Sequence, residues 1–304
     1  MTLKYAYYPG CSLDATGIEY NHTTKMVAKH LGVQLEEIDD WNCCGAVAAV
    51  GSSKLLSIAL PARTLALAEK HQGQEIDIAV PCAACFNNMK VAQYEVKQSK
   101  EMAKDVNEVI DMEYSAKNEI KTLLDVLVND VGLDKIKESV TRPLTGLKAA
   151  SYYGCLLVRP PKVARFDDAE QPMTMDRMAE TLGGEAVDWS YKVECCGAAY
   201  SSCRPEVALP MTGDIIRNAK ESGANCILVA CPLCFMNLDM RQKEIGKKDN
   251  TDYQLPIFYF TEFMGLAFGY SAKELYLAKH FVNPEKLLEE KDIFRHPDTR
   301  REKT

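Results

Sequence analysis

The sequence has little that would suit a membrane-spanning or secreted protein. None of its apolar runs reaches the roughly 18 residues that a membrane span needs. The most apolar run, Ile257 to Gly269, is short and is interrupted by Glu262. The N-terminal residues lack the apolar core and the small-residue cleavage site of a secretory signal. The sequence therefore predicts a cytoplasmic protein without a membrane span.

The sequence also has fewer basic than acidic residues and few histidines. The chain of 304 residues has 36 Lys and Arg against 43 Asp and Glu, a net charge of −7, which opposes binding to a phosphate backbone and predicts no nucleic-acid partner. The five histidines show no ligand spacing and are expected to lie on the surface or to pack rather than to donate protons: His22, His30, His71, His280 and His296.

The sequence contains no flavin or nicotinamide fingerprint and no cysteine run of the ferredoxin type, C-x2-C-x2-C-x3-C-P. It does contain 12 cysteines. This number is too small for a disulfide scaffold, and the cysteines are too clustered for casual core packing in a reducing compartment. Metal binding is therefore the leading interpretation of these cysteines.

Ten of the cysteines form two copies of one pattern, C-x31-CC-x37-C-x2-C and then C-x39-CC-x34-C-x2-C. Flanking residues repeat as well, since KYAYYPGC at 4–11 matches KAASYYGC at 148–155, and VPCAACFNNM at 80–89 matches VACPLCFMNL at 229–238. These matches predict an internal duplication. The two cysteines without a counterpart, Cys203 and Cys226, are expected to be small buried hydrophobic residues.

Each copy has the pattern of an α/β fold. An apolar segment predicted to be a strand precedes the first Cys, Leu3 to Tyr8 or Leu147 to Tyr153. A helical pattern follows at Leu55 to Gly73 or Val207 to Gly223, and a second strand then leads into C-x2-C. Pro61 and Pro210 should kink these helices or mark where they start. Because sites in open α/β sheets form beyond the carboxyl ends of strands, we expect the cysteines of each copy to converge.

The fold class is accordingly α/β, with two tandem domains related by a pseudo-two-fold, each with a mainly parallel sheet flanked by helices. We expect an N-terminal domain at 1–145, which includes a helical extension over Ala92 to Ser139, and a C-terminal domain at 146–304. The second domain ends in a charged tail from Glu285, which is expected to be a solvated face. The glycine after each Cys-Cys pair is expected to let the backbone approach a bulky inorganic core.

The ligand count favours iron–sulfur chemistry. Structural zinc takes four ligands, whereas each copy supplies five thiols, two of them adjacent. Soft thiolates suit iron–sulfur assemblies, and a fifth ligand indicates something other than a plain cubane. Zinc in one half and dithiol/disulfide redox chemistry remain as alternatives.

The double CCG pattern, without a fused ferredoxin segment, resembles the cysteine-rich CCG domain family and, within it, the B subunits of the heterodisulfide reductases of methanogens. The resemblance extends from about Lys4 to Met264. It implies that each CCG motif holds a noncubane [4Fe-4S] cluster and that the clusters themselves reduce the coenzyme M–coenzyme B disulfide to two thiols, with no side-chain acid or base assigned. The implied cluster ligands are one set of five cysteines in each half: Cys11, Cys43, Cys44, Cys82 and Cys85, then Cys155, Cys195, Cys196, Cys231 and Cys234.

The resemblance also implies partners: a ferredoxin-like iron–sulfur subunit and a flavin subunit of the same complex. The alternative functions are an electron-transfer subunit of a hydroxy-acid or succinate oxidising complex, and a zinc-stabilised scaffold. Arg159, Lys162 and Arg165 could meet the anionic groups of the disulfide or form a solvated face. Residues Phe258 to Phe268 could form a docking surface or belong to the core.

Overall fold

The first half of the chain is built on a four-stranded parallel sheet in the order β2-β1-β3-β4. The computed structural model describes residues 3–70 and 76–294. The elements of this half are β1 (Leu3–Tyr7), α1 (Cys11–Asp14), α2 (Ile18–His30), β2 (Val33–Glu37), α3 (Ala46–Ser52), α4 (Lys54–Lys70), β3 (Ile78–Val80), α5 (Ala83–Gln98), α6 (Lys100–Ile110), β4 (Ile120–Thr122), α7 (Leu123–Asp125), a π-helical segment (Val126–Gly132) and α8 (Leu133–Glu138).

The second half repeats this plan with a parallel sheet in the order β6-β5-β7-β8. Its elements are β5 (Lys148–Tyr152), α9 (Pro161–Ala164), α10 (Thr174–Thr181), β6 (Glu185–Ala186), a 3₁₀ turn (Ala198–Tyr200), α11 (Pro205–Glu221), β7 (Cys226–Val229), α12 (Pro232–Met240), α13 (Gln242–Asp249), β8 (Ile257–Tyr259), α14 (Phe260–Ala267), a second 3₁₀ turn (Leu277–Lys279) and α15 (Glu285–Glu290). The predicted α/β class with two parallel sheets flanked by helices is confirmed.

The register of the two sheets repeats along with the sequence. Ala6 pairs with Ile78 in the first sheet, and their counterparts Ala150 and Ile227 pair in the second. The duplication inferred from the cysteines thus extends to the pairing of the central strands. The predicted boundary at 145/146 falls in the segment between α8 and β5, and the division into two domains there stays a prediction.

The long helices α4 and α11 lie where the sequence places them. Pro61 and Pro210 both lie inside these helices, so neither marks a helix start. Instead, α11 begins at Pro205, where a missing N–H costs nothing because the first N–H groups of a helix have no partner within it. The predicted end of the first helix at Gly73 lies outside the described residues.

The segment predicted as a helical extension is helical only in part. It includes α6 and α8 as expected, but Ile120–Thr122 forms β4, which pairs in parallel with β3. A three-residue strand is too short to leave a period of two in the sequence. In the charged tail, α15 starts at Glu285, and residues 295–304 lie outside the described residues.

The apolar segment from Phe258 to Phe268 is core rather than docking surface. It contains β8 and α14, and Phe258, Phe260, Phe263 and Phe268 are all buried. Helix α14 packs against α2 of the first half. The docking alternative for this segment is therefore wrong, because it fills the junction between the two halves. Over the described ranges, no helix is both long and apolar enough to cross a membrane.

Candidate functional site

The cysteines lie where parallel strands end. Cys11 begins α1 just after β1, and Cys82 is the N-cap of α5 just after β3. In the second half, Cys155 follows β5 and Cys231 is the N-cap of α12 after β7. Since β1 neighbours β3 and β5 neighbours β7, the carboxyl ends of these strands meet, and the expected convergence follows.

In the first half, the thiols touch in pairs. Sγ of Cys11 lies 3.5 Å from Sγ of Cys43, and Sγ of Cys44 lies 3.5 Å from Sγ of Cys85. Cys11 and Cys43 are exposed, whereas Cys44, Cys82 and Cys85 are buried. The set therefore extends from the protein surface into the interior.

The second half repeats this arrangement. Sγ of Cys196 lies 3.5 Å from Sγ of Cys234, and the backbone N–H of Gly197 donates to Sγ of Cys195 at 3.4 Å. Cys155 and Cys195 are half-buried, whereas the other three thiols are buried. Both halves thus bring together the five cysteines that the sequence pattern groups.

The two sets meet at one point. The thiols of Cys82 and of its counterpart Cys231 lie close enough to interact, and this interaction is the main reason that the pKa of Cys82 is raised. A residue that touches its own counterpart marks the pseudo-two-fold axis. The ten thiols therefore form two sets that adjoin across the junction between the halves.

These contacts shift the thiol pKa values. Hydrogen bonds from Cys43, and then from Cys85, lower the pKa of Cys44 to about 3. A hydrogen bond from Cys155 lowers the pKa of Cys195 to about 6. The thiolate is the form that binds metals, so these side chains are chemically suited to be ligands. Within residues 3–70 and 76–294, no three His, Cys, Asp or Glu side chains are arranged around a position for a single ion.

Two tyrosines anchor the Cys-Cys loops. The hydroxyl of Tyr8 donates to the carbonyl of Asn42 at 2.9 Å, and that of Tyr152 donates to the carbonyl of Glu194 at 2.7 Å. Burial raises the pKa of both tyrosines, and the nearby thiols of their own half raise it further. Both phenols therefore stay protonated and hold the residue just before each Cys-Cys pair.

Two asparagines hold the same loops from the other side, and sequence reasoning missed them. The side-chain N–H of Asn88 donates to the carbonyls of Cys44 at 3.4 Å and Ala46 at 3.0 Å. Its counterpart Asn237 donates to the carbonyl of Cys196 at 3.0 Å. The signal was present, because these asparagines match in the repeat three residues after each C-x2-C.

The glycines nearest the thiols are not the ones expected. A Cβ at Gly45 would meet Ala49 and Leu60, and one at Gly197 would meet Ala208. These glycines therefore allow close approach to the following helix, and their approach to an inorganic core stays a prediction. Gly10 is the glycine that lies against a thiol: its φ is +75°, and a Cβ would lie 2.9 Å from Sγ of Cys85. Gly154, its counterpart, would meet Cys234 at 3.3 Å.

A buried ion pair holds the backbone near the second set of cysteines and has no counterpart at the matching positions of the first half. Nζ of Lys192, 3% exposed, lies 2.7 Å from the carboxylate of Asp176, which accepts a hydrogen bond from the hydroxyl of Tyr153 at 2.8 Å. The carbonyl of Lys192 accepts from the N–H groups of Tyr153 and Gly154. The pair thus ties the approach to Cys195 to the approach to Cys155. The first half has Asp40 and Pro9 at the corresponding positions.

The two remaining cysteines differ from each other. Cys226 is fully buried in β7, as expected. Cys203 is exposed, so the expectation of burial is wrong for it. It follows the 3₁₀ turn at Ala198–Tyr200, in a surface turn with no strand or helix to cover it.

Of the other residues considered, His22 and His30 hydrogen-bond to Glu274 and Tyr270 at the surface. His280 is buried and pairs with Glu262 at 3.0 Å, whereas His71 and His296 lie outside the described residues. Arg159 pairs with Glu170 at 2.7 Å. Lys162 and Arg165 are exposed, and Nε of Arg165 donates to the carbonyl of Lys162.

Comparison with known proteins agrees with this architecture. Both halves match the cysteine-rich domain family named CCG, over residues 5–90 and 149–239. The chain is 33% identical over 291 residues to the 8-methylmenaquinol:fumarate reductase membrane anchor subunit of Wolinella succinogenes, covering 94% of this chain and 100% of that protein. It is 30% identical over 285 residues to the B subunit of ferredoxin:CoB-CoM heterodisulfide reductase of Methanosarcina mazei, covering 92% and 94% of the two chains.

Among solved structures, a hypothetical protein from Helicobacter pylori shares the fold with a TM-score of 0.71 at 14% identity. The match covers 92% of this chain and 52% of that one, so the chain spans about half the length of that protein. Two family matches, one in each half, together cover more than half of the chain. The chain therefore belongs to the cysteine-rich CCG domain family, and it resembles the B subunits of the heterodisulfide reductases of methanogens.

Proposed function

We propose that this chain is the disulfide-reducing subunit of an oxidoreductase complex and that it reduces the coenzyme M–coenzyme B disulfide or a related small-molecule disulfide to two thiols. The observation that carries the proposal is the contact between Cys82 and Cys231, which puts two complete five-thiol sets side by side. Relatives that are named as B subunits of heterodisulfide reductases support the same function.

Each five-cysteine set would hold one iron–sulfur cluster. The sets are Cys11, Cys43, Cys44, Cys82 and Cys85, and then Cys155, Cys195, Cys196, Cys231 and Cys234. Thiolates are the usual ligands of such clusters, and five of them exceed the four of a cubane, which favours a noncubane [4Fe-4S] type. When bound, these clusters would supply electrons one at a time. The bare glycine backbones at Gly10 and Gly154 leave room beside the buried thiols.

Disulfide cleavage takes two electrons and two protons, and it separates two sulfur atoms. Two adjacent sets related by a pseudo-two-fold suit a substrate whose reacting S–S bond has the same approximate symmetry. The chain's own contribution is to hold the two sets in fixed relation. The tyrosine and asparagine bonds to both Cys-Cys loops serve this purpose.

The chain would act within a complex. We infer that a ferredoxin-like iron–sulfur subunit delivers electrons to this chain and that a flavin subunit lies beyond it, on the donor side of the electron-transfer route. The isolated subunit should reduce the disulfide slowly with a strong artificial one-electron donor. With hydrogen, formate or NADH it should be inactive until its partners are added.

A second function has a specific observation in its favour. The relative from Wolinella succinogenes, whose name places it in a fumarate reductase, is 33% identical over its whole length. On that interpretation the chain would pass electrons in a complex that acts on succinate or a hydroxy acid and would have no substrate of its own.

Metal analysis and spectroscopy separate these functions. About eight irons per chain would support two four-iron clusters, whereas zinc without iron would contradict both redox functions. The deciding measurement is electron paramagnetic resonance of the oxidised protein titrated with the mixed disulfide or either thiol. A changed cluster signal supports disulfide reduction, and an unchanged signal in an iron-loaded protein favours the electron-transfer alternative.

A further inference from the structure

The pseudo-two-fold axis relates two contacts between the halves, here called seams, and among the described residues only one seam is closed by hydrogen bonds from an asparagine side chain. In one seam, α9 packs on α5, and the side chain of Asn87 donates to the carbonyls of Leu156 at 2.9 Å and Arg159 at 2.6 Å. In the other, α1 packs on α12, and Met236 occupies the position of Asn87 in the repeat. Methionine cannot donate such hydrogen bonds.

The seam at Met236 contains a cavity of about 210 Å³. Its walls come from both halves and include Gly17, Glu19, Pro232, Phe235, Met236 and Tyr259. Pro232 directly follows Cys231, the thiol that touches Cys82. One wall of the cavity is therefore formed by the residue adjacent to a cysteine at which the two sets meet.

The wall nearest the core is aromatic. The ring of Tyr259 stacks between Tyr20 of the first half, at 4.1 Å, and Phe235 of the second, at 4.2 Å. The hydroxyl of Tyr20 donates to the carbonyl of Pro81, the residue before Cys82. These contacts fix the inner end of the cavity relative to both cysteine sets.

The outer end is held by buried carboxylates. Asp239 accepts hydrogen bonds from the backbone N–H groups of Phe281, at 2.7 Å, and Val282, at 3.0 Å. Glu262 pairs with His280 at 3.0 Å. The segment that carries Lys279 and Phe281 is thereby fixed at the mouth of the cavity, where the Phe281 ring is 71% exposed.

One acidic side chain in this cavity is buried. Glu19, in the first turn of α2, is only 5% exposed. The titratable groups that face it are Glu262 of α14, Tyr259 of β8, and Lys279 and His280 of the mouth segment. Over the described ranges, Glu19 forms no side-chain hydrogen bond to any of these four groups, whereas Glu262 pairs with His280.

Burial raises the pKa of the Glu19 carboxyl, and the neighbouring Glu262 raises it further. The backbone N–H of Glu19, together with Lys279 and His280, lowers this pKa but does not cancel the rise. The neutral acid therefore persists to higher pH than in an exposed glutamate. A carboxylic acid kept protonated in a cavity that can admit a substrate is suited to act as a general acid.

We propose that the seam at Met236 admits the disulfide substrate and that Glu19 gives a proton there to one of the two departing sulfur atoms. The proposal rests on the proposed disulfide reduction. A one-electron donor supplies two electrons in succession, the S–S bond breaks, and each sulfur takes one proton. Glu19 supplies one proton and solvent the other, and Glu19 regains its proton from water at the mouth of the cavity.

The test is the pH–rate profile of disulfide reduction by the full chain with an artificial one-electron donor, compared with E19Q. Wild-type activity should fall as pH rises through the pKa of Glu19, since the acid form is required. E19Q should keep its iron content, lose this alkaline limb and react about 10²-fold more slowly. The control E101Q, an exposed glutamate on α6, should match the wild type.

A second variant tests the cavity independently. T16W puts a large side chain at an exposed position on the rim and should raise KM for the disulfide while iron content and direct cluster reduction stay unchanged. If E19Q and T16W both behave as the wild type while the wild type reduces the disulfide, the inference is overturned and the proposed function stands. A wild type that is loaded with iron but reduces no disulfide overturns both.

Discussion

At the scale of single residues, the ten cysteines of the repeat differ from Cys203 and Cys226 in the residues that surround their thiols. Each paired thiol lies among other thiols of its own half, and Cys82 and Cys231 also touch across the junction. Cys226 is buried among apolar residues, with its thiol pointing to the carbonyl of Lys148. The role of a cysteine here follows from its neighbours.

Replacing Cys43 or Cys196 by Ser should remove one cluster and spare the other, because each half supplies a complete set of ligands. Iron content should fall by about half, from about eight atoms to about four for four-iron clusters. Full iron content and activity in either variant would show that the ligands are wrongly assigned.

The matched controls are Cys203→Ala and Cys226→Ala, both of which should keep all the iron. Cys226→Ala should lower the free energy of unfolding by about 1–3 kcal/mol because it leaves a gap in a packed strand. Cys203→Ala should change it by less than about 0.5 kcal/mol, since the side chain is exposed. Loss of a cluster in either control would contradict the repeat.

Asn237→Ala should weaken the second site more than Asn88→Ala weakens the first. Asn237 is fully buried, and its side-chain oxygen accepts from the hydroxyl of Ser201 at 2.6 Å and from Nε of Arg241 at 3.3 Å, so its removal takes an acceptor from two buried donors. The carbonyl of Cys196 would keep only its hydrogen bond from Thr212. Each such loss costs about 1–3 kcal/mol. Chemical unfolding of both variants, with iron release followed in parallel, measures the difference; equal effects would contradict it.

At the scale of elements, the turn from β1 into α1 determines how close the backbone comes to the thiols. Gly10 adopts φ +75° with Sγ of Cys85 at 2.9 Å from the position of a Cβ. Gly223 adopts φ +88°, but nothing lies within 4 Å of its Cβ position. Both glycines therefore have a positive φ, but only Gly10 lies against a thiol.

Gly10→Ala should lower both stability and iron content, whereas Gly223→Ala should lower stability alone. Gly223→Ala carries the cost of an alanine at positive φ, about 1–2 kcal/mol. Gly10, at φ +75° and ψ 161°, lies in a region that is essentially open to glycine only, and Gly10→Ala also displaces a buried thiol. Iron analysis beside thermal unfolding separates the two effects. Iron loss in Gly223→Ala, or none in Gly10→Ala, would refute this account of the turn.

The elements also show which strands a sequence can reveal. β1, β5 and β7 stand out because an apolar run ends next to a cysteine. β4 is three residues long and leads straight into α7, and β8 merges into the apolar run that continues as α14. No change in the spacing of apolar residues marks either strand. Only the pairing of β4 with β3 and of β8 with β7 identifies them.

At the scale of the whole molecule, the junction between the halves contains a buried histidine. Burial lowers the pKa of His280, but Glu262, helped by Asp239 and Glu19, outweighs burial and raises this pKa above its ordinary value of 6.5. The folded protein therefore binds this proton more tightly than the unfolded chain. The resulting stability is complete below pH 6.5 and is lost as pH rises through the raised pKa.

Wild-type protein should accordingly lose stability from about pH 6.5 upward more steeply than His280→Gln. The raised pKa values of Glu19 and Asp239 act in the same direction, and His280 opposes both rises. The difference between the two curves therefore reports His280 together with its effect on these two carboxyls. Urea midpoints measured under anaerobic conditions across this range provide the comparison. Parallel curves would mean that His280 stays neutral in the folded protein.

The sequence by itself determined the duplication, the parallel α/β plan, the grouping of ten cysteines into two sets and the family. These properties follow from local spacing and from matches along the chain, which need no knowledge of distant contacts. Even the asparagines at 88 and 237 were visible as matched positions in the repeat.

Only the tertiary structure decided what lies at the junction of the halves. The contact of Cys82 with Cys231, the cavity at Met236 and the burial of Glu19 and His280 all join segments far apart in sequence. No local period or propensity encodes such contacts, because they arise when two folded sheets and their helices pack together. The same packing buried the apolar segment at 258–268 and left Cys203 in a surface turn.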